Sequence, residues 1–342
     1  MKALVWKGGV DFVVEEVPRP KTETGRLVVK VEYAAVCGSD FHLAGFGAVP
    51  PLIPGHEAAG TVAEVGKKVK GFKTGDRVAL NPVQFCGKCF CCRKKLQHLC
   101  ANYRHLGDRD TPGAWAEYVA IDSANAHLVP VGVDSLSATL TEPVAVCYES
   151  FMRAGLKKND SVLIIGDGPF GFLHAQVAKA MAAKTIIVAG HYPSRLERIA
   201  AQTGAVTCNT HKEDIAGVLA RHAPKQGLDV VIEATGAGGS PDIGIKALRP
   251  RGALVIFSYI WKPQPLEMGL IHMKELNVLG ACRSLNAFKP CLDLMKRKKI
   301  NTGLLADVIV PFEEYRTAME MLKTHKESVF KAVFIPGEKK KT

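Results

Sequence analysis

The sequence predicts an α/β chain of two parts, a β-rich, barrel-like portion and a doubly wound parallel sheet. Three observations carry this. Residues 1 to about 147 are short apolar runs broken by Gly, Pro and Asp, which is how strands joined by turns read. Beyond them, strand-length apolar runs alternate strictly with helical patterns. A chain of 342 residues also exceeds what one compact core usually holds.

In the first part, strands are expected at Lys2–Trp6, Leu27–Ala35, Gly60–Val65, Arg77–Leu80 and Glu117–Ile121. An apolar helical pattern over Thr139–Gly155 marks the change. Strand Val162–Ile165, helix Phe170–Ala180, strand Thr185–Ala189 and helix Ser194–Thr203 follow. Next come strand Val230–Glu233, helix Pro241–Leu248, and strands Ala253–Ser258 and Asn277–Gly280. Nearly continuous apolar strands between helices mean a parallel sheet covered on both faces. Two helical patterns, Ala287–Lys298 and Glu313–Lys323, precede a lone strand, Phe330–Ile335, which needs a partner sheet and so should return to the first part. The expected domains are 1–147 with 281–342, and 148–280.

The apolar runs are far shorter than a membrane span, and the N-terminus lacks a secretory pattern. The expectation is a cytoplasmic protein without a membrane partner. Net charge is +12, in short clusters at Arg93–Lys95, Lys296–Lys299 and Lys339–Lys341. No aromatic interleaving accompanies them, so no nucleic-acid partner is expected. Two readings remain, a solvated surface with a loose C-terminus and a field that steers an anionic substrate.

Five of the ten cysteines fall between Cys86 and Cys100. A disulfide framework suits small secreted chains, whereas clustered cysteines here point to metal. Cys86, Cys89, Cys92 and Cys100 can close a tetrahedral shell around one zinc with no open position, a structural site. Cys91 breaks the spacing by one residue and should point away. A second set is Cys37-Gly38-Ser39-Asp40-Phe41-His42, then Gly55-His56-Glu57, then Thr141-Glu142-Pro143. A thiolate, an imidazole and a carboxylate from separate loops make a mixed zinc site that keeps a position for water or substrate. Each residue alone has a plain structural reading; their order makes coincidence a poor account. The third set is Gly166-Asp167-Gly168-Pro169-Phe170-Gly171, directly after strand Ser161–Ile165. Its glycines allow a tight turn, close backbone approach to a pyrophosphate and close helix–sheet packing.

Together these residues resemble the zinc-containing medium-chain alcohol and polyol dehydrogenases, essentially end to end. The resemblance implies a GroES-like catalytic domain interrupted by a Rossmann domain. It makes Cys37 and His56 zinc ligands, with Glu142 completing the site directly or through a water, and Glu57 a neighbour able to exchange into the shell. Glu142 in place of a cysteine resembles the sorbitol and threonine dehydrogenase branches. So does Lys274–Arg283, which returns to the catalytic domain and ends in Arg283 near the substrate, and so does Asn286. Leu43-Ala44-Gly45 departs from the aromatic pair common in sorbitol dehydrogenases and argues against sorbitol itself.

The implied reaction moves a hydride between a secondary alcohol (a polyol, cyclitol or sugar derivative) and a nicotinamide cofactor, giving a ketone. Two alternatives are threonine-type amino-alcohol oxidation and, from another class, a non-enzymatic NADPH-binding protein. Zinc acidifies a bound hydroxyl; for bound water the shift is from roughly 15.7 to about 7. Ser39 would take the alcohol proton and, by resemblance, relay it through the cofactor ribose to His42. The plainer readings are a loop-capping hydroxyl and a surface histidine. Relatives of this kind are usually dimers or tetramers, so a homo-oligomer is expected.

The expected cofactor-binding residues are Gly166, Gly168, Pro169, Phe170, Gly171, Gly190, His191, Ser194, Arg195, Ser258 and Arg283. An NAD enzyme usually has an acidic residue about 20 positions after the glycine loop. By resemblance Gly190 occupies that place, ahead of His191-Tyr192-Pro193-Ser194-Arg195. With no carboxylate there, a 2′-phosphate is not repelled, and Arg195 with Ser194 or His191 can hold it. The competing reading has Arg195 capping its helix or covering the adenine. NADP is therefore expected to be preferred, with NAD as the alternative.

Overall fold

The computed structural model describes residues 1–284 and 286–337; the basic cluster Lys339–Lys341 lies outside the described residues. The chain forms two compact units. One holds Met1–Ala145, Ser284–Arg297 and the chain from Asn301; the other holds Val146–Arg283 and Lys298–Ile300. The chain passes from the first to the second within helix Thr141–Ala154.

The first unit is built on strand Arg26–Ala35, whose Leu27, Val28, Val29 and Val31 are buried. This strand pairs antiparallel with Glu57–Val65, Tyr118–Asp122 and Lys331–Ile335. The seven-stranded sheet extends to Ala306–Pro311 at one end and to Arg77–Leu80 and Ala126–Leu128 at the other. Register shifts within the Arg26–Ala35 and Glu57–Val65 pair bend the sheet. Gly60 sits at that pair because a Cβ there would lie 2.0 Å from the Lys30 carbonyl oxygen. Trp115 is fully buried, its ring edge-on to Phe334 at 5.1 Å and its Nε1–H donating to the Ala35 carbonyl at 3.3 Å.

The second unit is a six-stranded parallel sheet. Its order is Val206–Asn209, Thr185–Gly190, Ser161–Ile165, Leu228–Glu233, Leu248–Ile256, Asn277–Gly280. Connections run outward in both directions from the adjacent Ser161–Ile165 and Leu228–Glu233, which makes their C-terminal ends the switch point where such sheets bind ligands. Sequence periodicity does not reveal strands Asp11–Glu16, Val206–Asn209 and Ala306–Pro311 or helix Ile215–His222. Val206–Asn209 has four residues, two of them polar, and so lacks a continuous apolar run.

Helix Pro169–Ala180 is anchored by His174, which is fully buried. Its ring nitrogens lie 2.7 Å from the Phe170 carbonyl oxygen and 2.9 Å from Ser150 Oγ, and Phe151 and Phe257 meet the ring edge-on. Burial pushes its pKa down to about 4. In the unfolded chain His174 titrates near pH 6.5. Below that, the unfolded state binds the extra proton, so stability is complete above about pH 6.5 and falls toward pH 4 by up to about 3 kcal/mol. Thermal melts across this window should show His174→Gln losing less stability on acidification than the wild type. Parallel curves would assign the acid sensitivity to other groups.

Candidate active site and metal centres

Strand Arg26–Ala35 delivers Cys37 in extended backbone at the head of the 3₁₀ turn Gly38–Phe41. Asp40 folds back, and its Oδ2 accepts from the Cys37 N–H at 2.8 Å. Gly55 precedes His56 with φ of 93°, and a Cβ there would run into the Trp115 ring at 2.2 Å. Packing against Trp115 therefore requires glycine at that position. His56 immediately precedes strand Glu57–Val65, which Glu57 starts, and one ligand atom each from Cys37, His56 and Glu57 lies within 4.8 Å of the others.

All three are buried, and two have fixed partners. His56 Nδ1 lies 3.4 Å from Asp40 Oδ1. Lys331 Nζ donates to both Glu57 oxygens at 2.7 Å and to the Val36 carbonyl at 3.2 Å. Burial disfavours the charged imidazole, but the Asp40 carboxylate and the Cys37 sulfur outweigh it and hold the His56 pKa well above 6.5. Burial likewise opposes charge on Lys331, yet Glu57 and Cys37 raise its pKa. Anionic groups that hold a proton on a buried imidazole also draw a divalent cation in its place. Thiolate, imidazole and carboxylate donors, with outer partners that orient them, are the chemistry of a zinc site.

Glu142 is also buried but stands outside this tight group. Burial raises its pKa to about 7, with Glu57 and Asp40 adding to the effect and His56 and Lys331 opposing it. Ser39 and His42 share the turn after Cys37, joined by the His42 N–H donating to the Ser39 carbonyl at 2.9 Å. Ser39 is half-buried and His42 exposed.

The cysteine lobe brings Cys86, Cys89, Cys92 and Cys100 together. Sulfur separations are 3.5 Å for Cys100–Cys86, 3.8 Å for Cys89–Cys100 and 4.0 Å for Cys86–Cys92. Four sulfurs at about 2.3 Å from one tetrahedral ion would lie about 3.8 Å apart. The backbone N–H groups of Lys88 and Cys89 pull the Cys86 thiol down to about 6, and those of Cys92 and Ala101 lower Cys89. Burial and neighbouring thiols push Cys92 up to about 12. Cys91 is not among the clustered sulfurs.

In the second unit, Gly166 has φ of 127°, and a Cβ on Gly171 would lie 1.9 Å from the Gly166 carbonyl oxygen. Strand Ser161–Ile165 can turn into helix Pro169–Ala180 only with glycine at both places. Gly168 caps the helix, and Phe170 packs on Phe257 at 4.9 Å. Ser258 is half-buried, its N–H bonded to the Glu233 carbonyl at 3.2 Å. Arg283 ends the main segment of the unit with φ of 62°.

Around Gly190 the structure corrects the sequence reading that no carboxylate stands there. Asp167 fills the space, and a Cβ on Gly190 would lie 2.4 Å from its Cβ and Cγ. Asp167 Oδ2 accepts from the His191 and Tyr192 N–H groups, both at 2.7 Å. His191 is exposed, Ser194 half-buried, and Arg195 about nine-tenths buried with its guanidinium 5.1 Å from the Tyr192 ring centre.

Three residues with consequences for the site were missed in the sequence. Lys331 is legible in retrospect as a charge at the head of an apolar strand. Asp40 and Asp167 lie inside the Cys37–His42 and Gly166–Gly171 motifs, where no local spacing marks them.

Residues 23–131 match the family model of the alcohol dehydrogenase GroES-like domain, and residues 169–297 that of the zinc-binding dehydrogenases. A sorbitol dehydrogenase of Halalkalibacterium halodurans is 32% identical over 333 residues, covering 95% of this chain and 96% of that one. Among solved structures, an alcohol dehydrogenase of Escherichia coli CFT073 complexed with NADH superposes with a TM-score of 0.92 at 25% identity, covering 98% of this chain and 99% of that one. A zinc-binding dehydrogenase from Sinorhizobium meliloti 1021, bound to NADP, gives 0.89 at 28% identity with the same coverage. No helix among the described residues is long and apolar enough to cross a membrane. The chain belongs to the zinc-containing medium-chain alcohol and polyol dehydrogenase family, and it is a zinc-dependent oxidoreductase of secondary alcohols that uses a nicotinamide cofactor.

Proposed function

We propose that the substrate is a polyol or a related polyhydroxylated secondary alcohol, bound at a zinc held by Cys37 and His56. The observation that carries this is the buried cluster of Cys37, His56 and Glu57, with Asp40 and Lys331 fixing two of its members. A zinc ion held by these residues would acidify the substrate hydroxyl, and a bound nicotinamide would supply the hydride acceptor or donor.

The chain's own residues supply the rest. Asp40 orients the His56 ring. Lys331 holds Glu57 back, leaving Glu142 or a water to complete the shell. Ser39, two residues from Cys37, receives the alcohol proton and passes it toward exposed His42. Gly166, Gly168 and Gly171 let the pyrophosphate approach the start of helix Pro169–Ala180. The cysteine lobe holds a second, structural zinc and does no chemistry. NADP preference is favoured by Arg195 with Ser194 and His191, and opposed by Asp167.

A homo-oligomer is supported by the edge strand Asn277–Gly280 and by exposed Met268, Met273 and Val278 in the same unit. Cytoplasmic location rests on the sequence alone. Amino-alcohol oxidation of the threonine type is the second reading, and a panel of polyols, sugar acids and amino alcohols separates the two.

Metal analysis should find about two zincs per chain by the ligand count, and about one after Cys37→Ser, with turnover lost. Full activity of zinc-depleted protein would overturn the reading. Cys100→Ser should instead lower the melting temperature more than the turnover of the enzyme that remains folded. An unchanged melting temperature with that zinc gone would remove the structural role.

A further inference from the structure

We propose that Asp167, the second residue of the glycine loop, selects the cofactor by reading the adenosine ribose, and that it favours NAD(H) over NADP(H). The inference rests on the reading of Gly166–Gly171 as the dinucleotide loop.

A carboxylate that accepts from the ribose 2′-hydroxyl normally stands at the end of the second strand. Here that strand is Thr185–Gly190, and it ends in a residue without a side chain. The vacancy is sterically enforced, because any Cβ on Gly190 would overlap Asp167. Asp167 thus delivers its carboxylate from the neighbouring strand's loop to the space a Gly190 side chain would enter.

The carboxylate is anchored on one side only. Oδ2 takes both amide protons of His191 and Tyr192, and Oδ1 makes no hydrogen bond among the described residues. Oδ1 is the acceptor left for a sugar hydroxyl. The same arrangement uses up two backbone N–H groups that could otherwise receive a 2′-phosphate. A phosphate would meet a fixed negative charge on a buried residue, where water screens it poorly.

The side chains best placed to receive a 2′-phosphate already have neighbours. Arg195 lies about nine-tenths buried beside Gly168 and the Tyr192 ring. His191 stacks on His211 at 4.3 Å and bonds through Nδ1 to the Thr210 hydroxyl at 2.8 Å.

The test is calorimetric titration of the full-length, zinc-replete protein with NADH and with NADPH. Wild type should bind NADH more tightly by about tenfold or more, the scale of one charged hydrogen bond. Asp167→Asn keeps the shape and an acceptor for the two amides but removes the charge. It should weaken NADH binding and cut the preference for NADH by roughly tenfold or more. The double variant Asp167→Gly with Gly190→Asp, which moves the carboxylate to the strand end, should recover the preference for NADH. A wild type that prefers NADPH, or an unchanged ratio in Asp167→Asn, would overturn the proposal. Folded wild type that binds neither cofactor would instead overturn the reading of the glycine loop, and this proposal with it.

Discussion

The ion pair between Lys331 and Glu57 is the constraint on which the first unit depends. Side-chain exposure is 3% for the lysine and 0% for the glutamate. Two charges leave water at a cost of several kcal/mol each, which only close geometry and further hydrogen bonds can offset. Both oxygens of Glu57 at 2.7 Å and the Val36 carbonyl supply that geometry. Removing either partner would strand a buried charge, a loss of about 3–5 kcal/mol. The pair joins the last strand of the chain to the strand that starts beside His56. Together with the pairing of Lys331–Ile335 to Arg26–Ala35, it fastens the C-terminal strand to the sheet of the first unit.

The two metal-competent clusters solve different electrostatic problems. In the lobe the groups are alike, and thiols this close cannot all lose their protons unless something positive replaces them. Backbone N–H groups from Lys88, Cys89, Cys92 and Ala101 begin that compensation, and Cys92 remains strongly protonated. The lobe is held by short elements and turns, so an ion bound there would set its shape more than core packing does. In the Cys37 cluster the groups are unlike, and His56 and Glu57 each have a partner of opposite charge, Asp40 and Lys331. Trp115 and Gly55 shape one wall, and Asp40 ties the turn to its own N-cap residue. A preformed cluster can keep a coordination position open because ligand binding does not have to organise the backbone.

Much of this was legible in the sequence, for reasons specific to each feature. Strand Arg77–Leu80 and strand Asn277–Gly280 match the sequence reading to the residue, each a short apolar stretch set off by polar or turn-forming neighbours. The cysteine spacing carries the lobe outright, since four ligands within fifteen residues leave few geometries. Short strands with polar residues, such as Val206–Asn209, were invisible because pairing with Thr185–Gly190 stabilises them, not periodicity. Lys331 shows locally only as a charge at the head of an apolar strand, and its role is hidden for a related reason. It is 274 residues from its partner, and no local pattern encodes a contact made only by sheet order.

The Asp167 carboxylate beside Gly190 exposes a limit of reading function position by position. A functional group is defined by where its atoms lie, and in a parallel sheet the ends of adjacent strands converge on the same space. Ser161–Ile165 pairs with Thr185–Gly190 in register, Ile165 opposite Ala189, so the residues just beyond them are side by side. Either strand end can then supply the acid, but not both, because Asp167 leaves no room for a Cβ at Gly190. Glycine at 190 and aspartate at 167 are therefore one steric decision written at two places, and the glycine alone conveys the opposite of what the pair means. Position 190 alone reads as a missing carboxylate; the sheet register sets the Asp167 carboxylate beside it. The register is the better guide, because electrostatic repulsion of a phosphate depends on distance and burial and not on which residue carries the charge.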